Sequence, residues 1–179
     1  MIFFQNKKTS RGFTLLEVLV ATFIITISMI GIVGLFQQTV FNTVFSASKL
    51  TAAYLAQEGI EIVRNIRDEN WLRMRGDLNA QWDENIPDSG DWEADYSSHS
   101  LVSDYGTGTN LNLVTGSGFY GYDPGIPTHF KRKITVSKSD ISVPADGQPD
   151  MIKVIVQVEW TEKNQAHYLT AQENLYNWR

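Results

Sequence analysis

One long apolar segment, residues 13–36, limits what this chain can fold into. Its single charged side chain is Glu17, near the start. A helix of this length is about 36 Å long at about 1.5 Å per residue, enough to cross the bilayer's hydrocarbon core of about 30 Å. A lone carboxylate in such a helix costs about 3 kcal/mol to insert and rarely lacks a partner. The segment therefore predicts a membrane-spanning helix whose one charge needs an explanation.

Two simpler explanations account for only part of this segment. A secretory signal peptide has an apolar region of about 7–15 residues, followed by a small-residue cleavage site. Here the apolar run is longer, and the well-placed small residue, Gly12, precedes it. An ordinary signal anchor explains the length and the basic flank, but it gives Glu17 no role.

The residues around Gly12 carry a family resemblance. Residues 7–12, Lys-Lys-Thr-Ser-Arg-Gly, are followed directly by Phe-Thr-Leu-Leu-Glu and the apolar run. This arrangement resembles the N-terminal signal of type IV pilins and pseudopilins. The resemblance implies that prepilin peptidase cuts between Gly12 and Phe13 and that Phe13 is then N-methylated. It also implies that Glu17 pairs with the N-terminal amine of a neighbouring subunit during assembly.

The position of Glu17 gives this pairing a physical reason. Cleavage after Gly12 would leave an amine on Phe13, at the edge of the same apolar segment. A carboxylate and an ammonium that are desolvated together cost far less than either alone. A pore or proton-relay carboxylate, the alternative, needs further polar partners in the span. The span offers only the hydroxyls of Thr14, Thr22, Thr26 and Ser28.

Two glycines within the span predict a soft spot in the helix. Gly31 and Gly34 each weaken a helix by about 1 kcal/mol relative to alanine. The resembled family often has proline at the position of Gly34, where the helix can melt in assembled pili. Close helix packing through small residues is an equal alternative.

Charge and composition indicate export and exclude some functions. The chain has 179 residues and a net charge of −5. Basic residues before the span favour a cytoplasmic N-terminus and an exported body. The sequence contains no basic stripe of the kind that nucleic-acid binding requires. It also contains no cysteine, so it cannot form the disulfide loop that many pilins carry. The basic residues of the leader are Lys7, Lys8 and Arg11.

The helix is expected to continue beyond the membrane as an amphipathic segment. No proline interrupts residues 13–70, and a stop signal places the helix end between Asn70 and Gly76. On the polar face, Arg64 is spaced for weak ion pairs with Glu61 and Asp68. The apolar and small stripe consists of Phe41, Phe45, Ser48, Ala52, Leu55, Gly59, Ile62 or Val63, and Ile66.

The acidic segment of residues 71–100 predicts a solvated irregular loop. Its carboxylates do not follow the spacing of a calcium loop, so no metal site is expected. Trp82 and Trp92 are interpreted as anchors onto the domain. The acids are Asp77, Asp83, Glu84, Asp88, Asp91, Glu93 and Asp95.

From residue 111 onward the apolar period is two, which indicates strands. Residues 111–115 and 118–122 predict a short hairpin, and residues 130–136 a strand whose apolar face Arg132 interrupts. Residues 152–160 alternate regularly, and residues 167–175 form a further candidate strand with Leu169 and Ala171 inward. Turns are expected at residues 146–149 and 162–165.

No motif indicates an enzyme. The three histidines, His99, His129 and His167, lie far apart in the sequence. Neither zinc-protease, nucleophile-elbow nor phosphate-loop motifs occur. The expectation is a non-enzymatic chain without cofactor or metal.

The predicted fold class is α+β and pilin-like: one long N-terminal helix, membrane-spanning in its first half, packed against a C-terminal antiparallel sheet. The expected parts are a leader (1–12), a transmembrane and filament-core helix (13–36), its amphipathic continuation (37–75) and a globular head (76–179). The expected partners are membrane lipid, prepilin peptidase, the inner-membrane assembly platform and other pilin subunits.

The predicted function is a structural subunit, favoured as a minor pilin, of a type IV pilus-like filament at the cell surface or in the periplasm. A pseudopilin of a type II secretion or competence system remains an alternative. A different class is a monomeric membrane-anchored extracytoplasmic binding protein, which would use Trp82, Trp92, Phe119, Tyr120 and Tyr122 as contacts.

Overall fold

The computed structural model describes residues 12–101, 103–106 and 108–177. The chain divides into two compact units, Met1–Val44 and Phe45–Arg179, each considered by itself below. Within the described residues there is one helix, α1 (Leu15–Arg73), and a seven-stranded sheet. The strands are β1 (Ser89–Glu93), β2 (Ser103–Asp104), β3 (Asn110–Val114), β4 (Tyr120–Gly121), β5 (Gly125–Ser139), β6 (Met151–Glu162) and β7 (Gln165–Tyr176).

In the first unit, the described residues leave α1 uncovered. Large apolar side chains such as Phe13, Phe23 and Phe36 are 81%, 66% and 69% exposed. Over the described residues, α1 is the one helix long and apolar enough to cross a membrane. A helix that is apolar all round requires an apolar environment, so this half fits a single-pass membrane anchor. Residues 1–11 of the predicted leader lie outside the described part of the chain.

In the second unit, the remainder of α1 packs one face against the sheet. The predicted stripe is confirmed. Its buried members are Ala52, Leu55, Gly59, Ile62, Val63 and Ile66. The helix ends at Arg73, inside the predicted window, and the amide of Met74 still donates to the carbonyl of Asn70 at 2.9 Å.

The sheet is antiparallel and is built around β5. On one side, ten residues of β5 pair with β6. On the other side, the C-terminal part of β5 pairs with β1 and its N-terminal part pairs with β3. β6 and β7 form a hairpin whose turn residues, Lys163 and Asn164, both have positive φ angles. Two such residues make the primed turn that matches strand twist. The predicted hairpin of β3 and β4 is also confirmed.

The core lies between α1 and the inner face of the sheet. Alternate residues of β6, including Val154, Val156 and Val158, are buried, and those between them lie on the outer face. Leu169 and Ala171 of β7 point inward as predicted and are partly buried against this core. The arrangement is an α+β fold of pilin-like type, with one long helix packed on an antiparallel sheet.

The acidic segment differs from its prediction. It contains strand β1, and two of its carboxylates, Asp83 and Asp95, are buried. Asp83 pairs with the ammonium of Lys138 at 2.6 Å, and Asp95 accepts hydrogen bonds from Ser97, Ser98 and the amide of Tyr122. The prediction of a solvated irregular loop was therefore wrong for these residues, because Lys138 and Tyr122, which are distant in sequence, supply partners for the two buried carboxylates.

One predicted helix ion pair also differs. Arg64 pairs with Glu61 as expected, but its second partner is Glu173 of β7, at 2.5 Å. Asp68 pairs instead with its neighbour Arg67, at 2.8 Å. The strand provides Arg64 with a partly buried carboxylate, which is a better-fixed partner than an exposed one on the same helix.

Candidate functional site

The predicted cleavage site lies just outside the helix. Residues 12–14 are not helical, and α1 begins at Leu15. The hydroxyl of Thr14 accepts a hydrogen bond from the amide of Glu17 at 3.3 Å, and the Thr14 carbonyl accepts from the amide of Val18 at 3.2 Å. Thr14 is therefore the N-cap residue, and the peptide bond after Gly12 precedes all helical hydrogen bonding.

Glu17 lies in the first turn of α1, where the helix dipole favours a negative charge. Its side chain is exposed and is surrounded on the helix surface by apolar residues such as Val20 and Ala21. Across the described residues, no ion pair involves Glu17. The carboxylate is thus presented on an uncovered apolar surface, where it can receive a cation from another molecule.

The hydroxyls of the span are bonded to their own helix. Thr26 donates to the carbonyl of Thr22 at 2.7 Å, and Ser28 donates to that of Ile24 at 2.8 Å. Thr22 donates to the carbonyl of Leu19 at 3.0 Å. These groups do not form a polar path leading to Glu17, so the geometry does not support the proton-relay alternative.

The predicted soft spot is helical in this structure. Gly31 and Gly34 both lie within α1, and a β-carbon added at either would meet no other atom within 4 Å. Among the described residues, therefore, no close contact requires glycine at either position. Melting of the helix there during assembly stays a prediction.

The aromatic residues considered for a receptor are mostly used for packing. Trp82 is buried, and its indole donates to the carbonyl of Pro149 at 3.1 Å. Trp92, Tyr120 and Tyr122 pack against the core. Phe119 alone of this set is largely exposed, at 58%.

The three histidines occupy different surroundings. His167 lies edge-on to Phe45, with ring centroids 5.0 Å apart, and stacks on Trp160. The ring of His129 contacts that of Phe130, the next residue in β5. His99 is exposed, and its Nδ1 lies 3.6 Å from the carboxylate of Glu69. In the described part of the chain, no group of histidine and acidic side chains could hold a metal ion.

Sequence reasoning missed a buried polar contact between α1 and the sheet. Arg132 of β5 is fully buried; it donates to the carbonyl of Ala94 at 2.6 Å and to that of Leu55 at 3.3 Å. It also lies 3.4 Å from the carboxylate of Glu58. Nearby, burial raises the pKa of the Tyr122 hydroxyl, although the charge of Arg132 opposes this. The available signal was one arginine on an otherwise apolar strand face.

Comparison with known families locates the recognisable part of the chain at its N-terminus. Residues 7–33 match the model of the prokaryotic N-terminal methylation motif. No curated protein and no solved structure matches the chain. The matched residues include the predicted cleavage site, Glu17 and most of the uncovered apolar helix. The chain therefore carries a type IV pilin-like prepilin signal that leads into a single long helix.

Proposed function

We propose that this chain is a minor pilin, a low-copy structural subunit of a type IV pilus-like filament. The observation that carries the proposal is the methylation motif at residues 7–33. This motif begins the helix α1. Only the second half of α1 packs against the head, and the first half exposes an apolar surface. Such a surface needs lipid before assembly and neighbouring helices afterwards. A low-copy rather than a major subunit is favoured by the acidic segment of the head, which is irregular outside β1.

The proposed pathway begins in the cytoplasmic membrane. The N-terminus is cytoplasmic and the head extracytoplasmic, in keeping with the basic leader. Prepilin peptidase removes residues 1–12, Phe13 is N-methylated, and an inner-membrane assembly platform extracts the subunit. Residues 13–36 then lie in the filament core, residues 37–75 form the amphipathic continuation, helical as far as Arg73, and residues 76–179 form the exposed head.

In this proposal Glu17 determines the register in which the helices of neighbouring subunits pack. Its exposed carboxylate would pair with the methylated amine of Phe13 in a neighbouring subunit. Each charge is costly by itself in an apolar surrounding, and the two compensate each other when they are desolvated together. A helix docked out of register would leave both charges unpaired, so correct register is favoured.

Mass spectrometry of the mature protein tests processing. We expect a chain that begins with N-methylated Phe13, and a mature protein retaining residues 1–12 would contradict the proposal. The number of copies of the chain in purified filaments tests the minor role. A chain that forms the bulk of the filament would be a major pilin, and one confined to a secretion or competence apparatus would be a pseudopilin.

The role of Glu17 is tested with a matched pair of variants. Glu17→Ala should still insert into the membrane and be processed, but should enter filaments about tenfold less, equivalent to about 1.4 kcal/mol. Glu61→Ala, which removes an exposed carboxylate further along the same helix, is the control and should assemble normally. Equal incorporation of the two variants would exclude the proposed pairing.

A further inference from the structure

Strand β7 leaves one edge of the sheet open along its whole length. Its 12 residues pair with β6 from Gln165 to Tyr176 without interruption. On its other side, no strand among the described residues pairs with it. The opposite margin of the sheet ends differently, in β2 and β4, which have 2 residues each. The long free edge is therefore a feature of β7 alone.

The turn geometry identifies which groups face this edge. Glu162 and Gln165 flank the turn formed by Lys163 and Asn164 and therefore form a hydrogen-bonded pair. Every second residue from Gln165 bonds to β6 in the same way. The residues between them direct their amides and carbonyls away from β6. These are Ala166, Tyr168, Thr170, Gln172, Asn174 and Tyr176, whose side chains are all exposed.

This edge lacks the usual protection against pairing. Natural edge strands commonly carry lysine, proline or a bulge, but β7 contains no lysine, arginine, proline or glycine and pairs with β6 in continuous register. Its one charged residue, Glu173, is already paired with Arg64 of α1. Nothing in the strand therefore opposes the addition of a further strand.

The inner face of β7 is also incompletely covered. Leu169 and Ala171 pack against the core but remain partly exposed. A strand added at the free edge would bury them further, and its own inward residues would adjoin the same apolar row. The chemistry thus favours an extended segment with alternating apolar and polar residues.

The symmetry of a filament bears on whether the partner is a second copy. An antiparallel pair of identical β7 strands is a two-fold contact that closes a dimer, whereas the copies in a filament are joined by head-to-tail contacts. Successive copies in a filament present opposite surfaces to each other, and the opposite margin offers only the short strands β2 and β4.

We propose that β7 receives an extended segment, of ordinary strand length of about 5–10 residues, from a different protein subunit of the same filament. The segment adds to the sheet by main-chain hydrogen bonds, and its alternating side chains provide specificity. This inference rests on the proposed filament function. It makes the head a docking point between unlike subunits.

Residue-resolved hydrogen exchange tests the proposal. The full chain in detergent micelles is compared with the same chain in purified filaments. We expect the amides of the edge-facing residues to be protected about tenfold or more in filaments, whereas the amides bonded to β6 are slow in both samples. Unchanged exchange of the edge amides in filaments overturns the inference and leaves the filament function intact. Absence of the chain from filaments overturns both.

Two lysine variants separate edge pairing from a general effect of charge. Thr170→Lys places a charge at the free edge, and Gln157→Lys places it on the same face at the directly opposite position in β6. Thr170→Lys should remove the protection in filaments and lower incorporation about tenfold, equivalent to about 1.4 kcal/mol, whereas Gln157→Lys should retain both. Equal behaviour of the two variants would contradict the proposal.

A proline variant and a concentration series complete the test. Thr170→Pro removes an edge-facing amide but no bond to β6, so slow exchange of the other β7 amides shows that the head has folded. With folding shown, retained protection of the remaining edge amides overturns the proposal. Protection that appears with increasing concentration of the purified chain alone would show a second copy as the partner and overturn the assignment to an unlike subunit.

Discussion

Arg132 and Glu58 join the sheet to the helix through a charged contact of 3.4 Å, with the arginine side chain fully buried. The guanidinium also donates to two carbonyls, one in α1 and one after β1. Removal of one partner of a buried ion pair leaves the other charge uncompensated. The resulting loss of stability is larger than the net stability that the intact pair contributes. We therefore expect this contact to favour one docking position of α1 on the sheet more than it adds net stability.

Substitution of the carboxylate is expected to destabilise the head. Because Glu58 is about one-third exposed, Glu58→Gln should reduce the free energy of unfolding by about 2 kcal/mol, less than for a fully buried pair. Chemical denaturation measures this loss. Glu69→Gln, on the same helix but next to exposed His99, is the control and should change stability by about 0.5 kcal/mol or less. Equal effects would show that the contact is not special.

Gly59 allows α1 to approach β6 closely. A β-carbon at this position would lie 2.7 Å from Cγ1 of Val156 and 3.1 Å from Cδ of Arg132. Overpacking of this kind costs about 1–3 kcal/mol, and the gain in helix propensity offsets about 1 kcal/mol. We expect Gly59→Ala to lower the free energy of unfolding by about 1 kcal/mol.

Two further variants check this explanation. Gly31→Ala introduces the same change where nothing lies within 4 Å, and it should leave the stability of the head unchanged. In the Val156→Ala background the contacts with the valine methyl groups are absent and only the 3.1 Å contact with Cδ of Arg132 remains, so Gly59→Ala should cost clearly less there. A loss of the same size in both backgrounds would rule out the clash as its cause.

Asp95 should make the head sensitive to acid. Burial by itself would raise the pKa of Asp95, but hydrogen bonds from Ser97, Ser98 and the Tyr122 amide outweigh it and hold the pKa below the ordinary value of 3.8. A lowered folded-state pKa stabilises the protein above the unfolded value, and this stability is lost as the pH falls through the folded value.

Denaturation between about pH 5 and about pH 2 measures this dependence. Asp95→Asn should lose about 2 kcal/mol at neutral pH, since hydrogen bonds to a charged group contribute about 1.5–3 kcal/mol. Its stability should also fall less steeply with acid than that of the unmodified protein. Parallel pH profiles for the two proteins would contradict this role of Asp95.

The N-cap predicts a local effect at the start of α1. Thr14→Ala removes one of the two acceptors of the Glu17 amide, since the carbonyl of residue 14 also accepts from it at 3.1 Å, and should weaken the first turn by about 1 kcal/mol. Faster exchange of that amide in micelles is the expected observation. Thr14→Ser keeps the hydroxyl and should restore slow exchange. If Thr14→Ala exchanges as slowly as the unmodified chain, the cap is not needed.

The elements that follow a strict apolar period were predictable from the sequence. The stripe from Phe45 to Ile66, the alternation of β6 and the hairpin before β5 correspond to the structure because burial on one face dictates those periods. The N-terminal signal was readable for a different reason, since its function depends on a short contiguous stretch.

What the sequence did not reveal depends on distant partners. Arg132 interrupts an apolar face in the sequence, and only the folded chain brings Glu58 and two carbonyls to it. Asp83 and Asp95 are indistinguishable in the sequence from their exposed neighbours until Lys138 and Tyr122 reach them. Such polar contacts leave no periodic trace.

The hydroxyls that bond to their own helix have a consequence for transport. Thr22, Thr26 and Ser28 have already satisfied their donors before the helix meets any other molecule. In the proposed assembly, moving this stretch from fatty-acyl chains to a surface of other helices would therefore break none of these hydrogen bonds. The segment can exchange one apolar solvent for another with little polar penalty, apart from that of its single carboxylate.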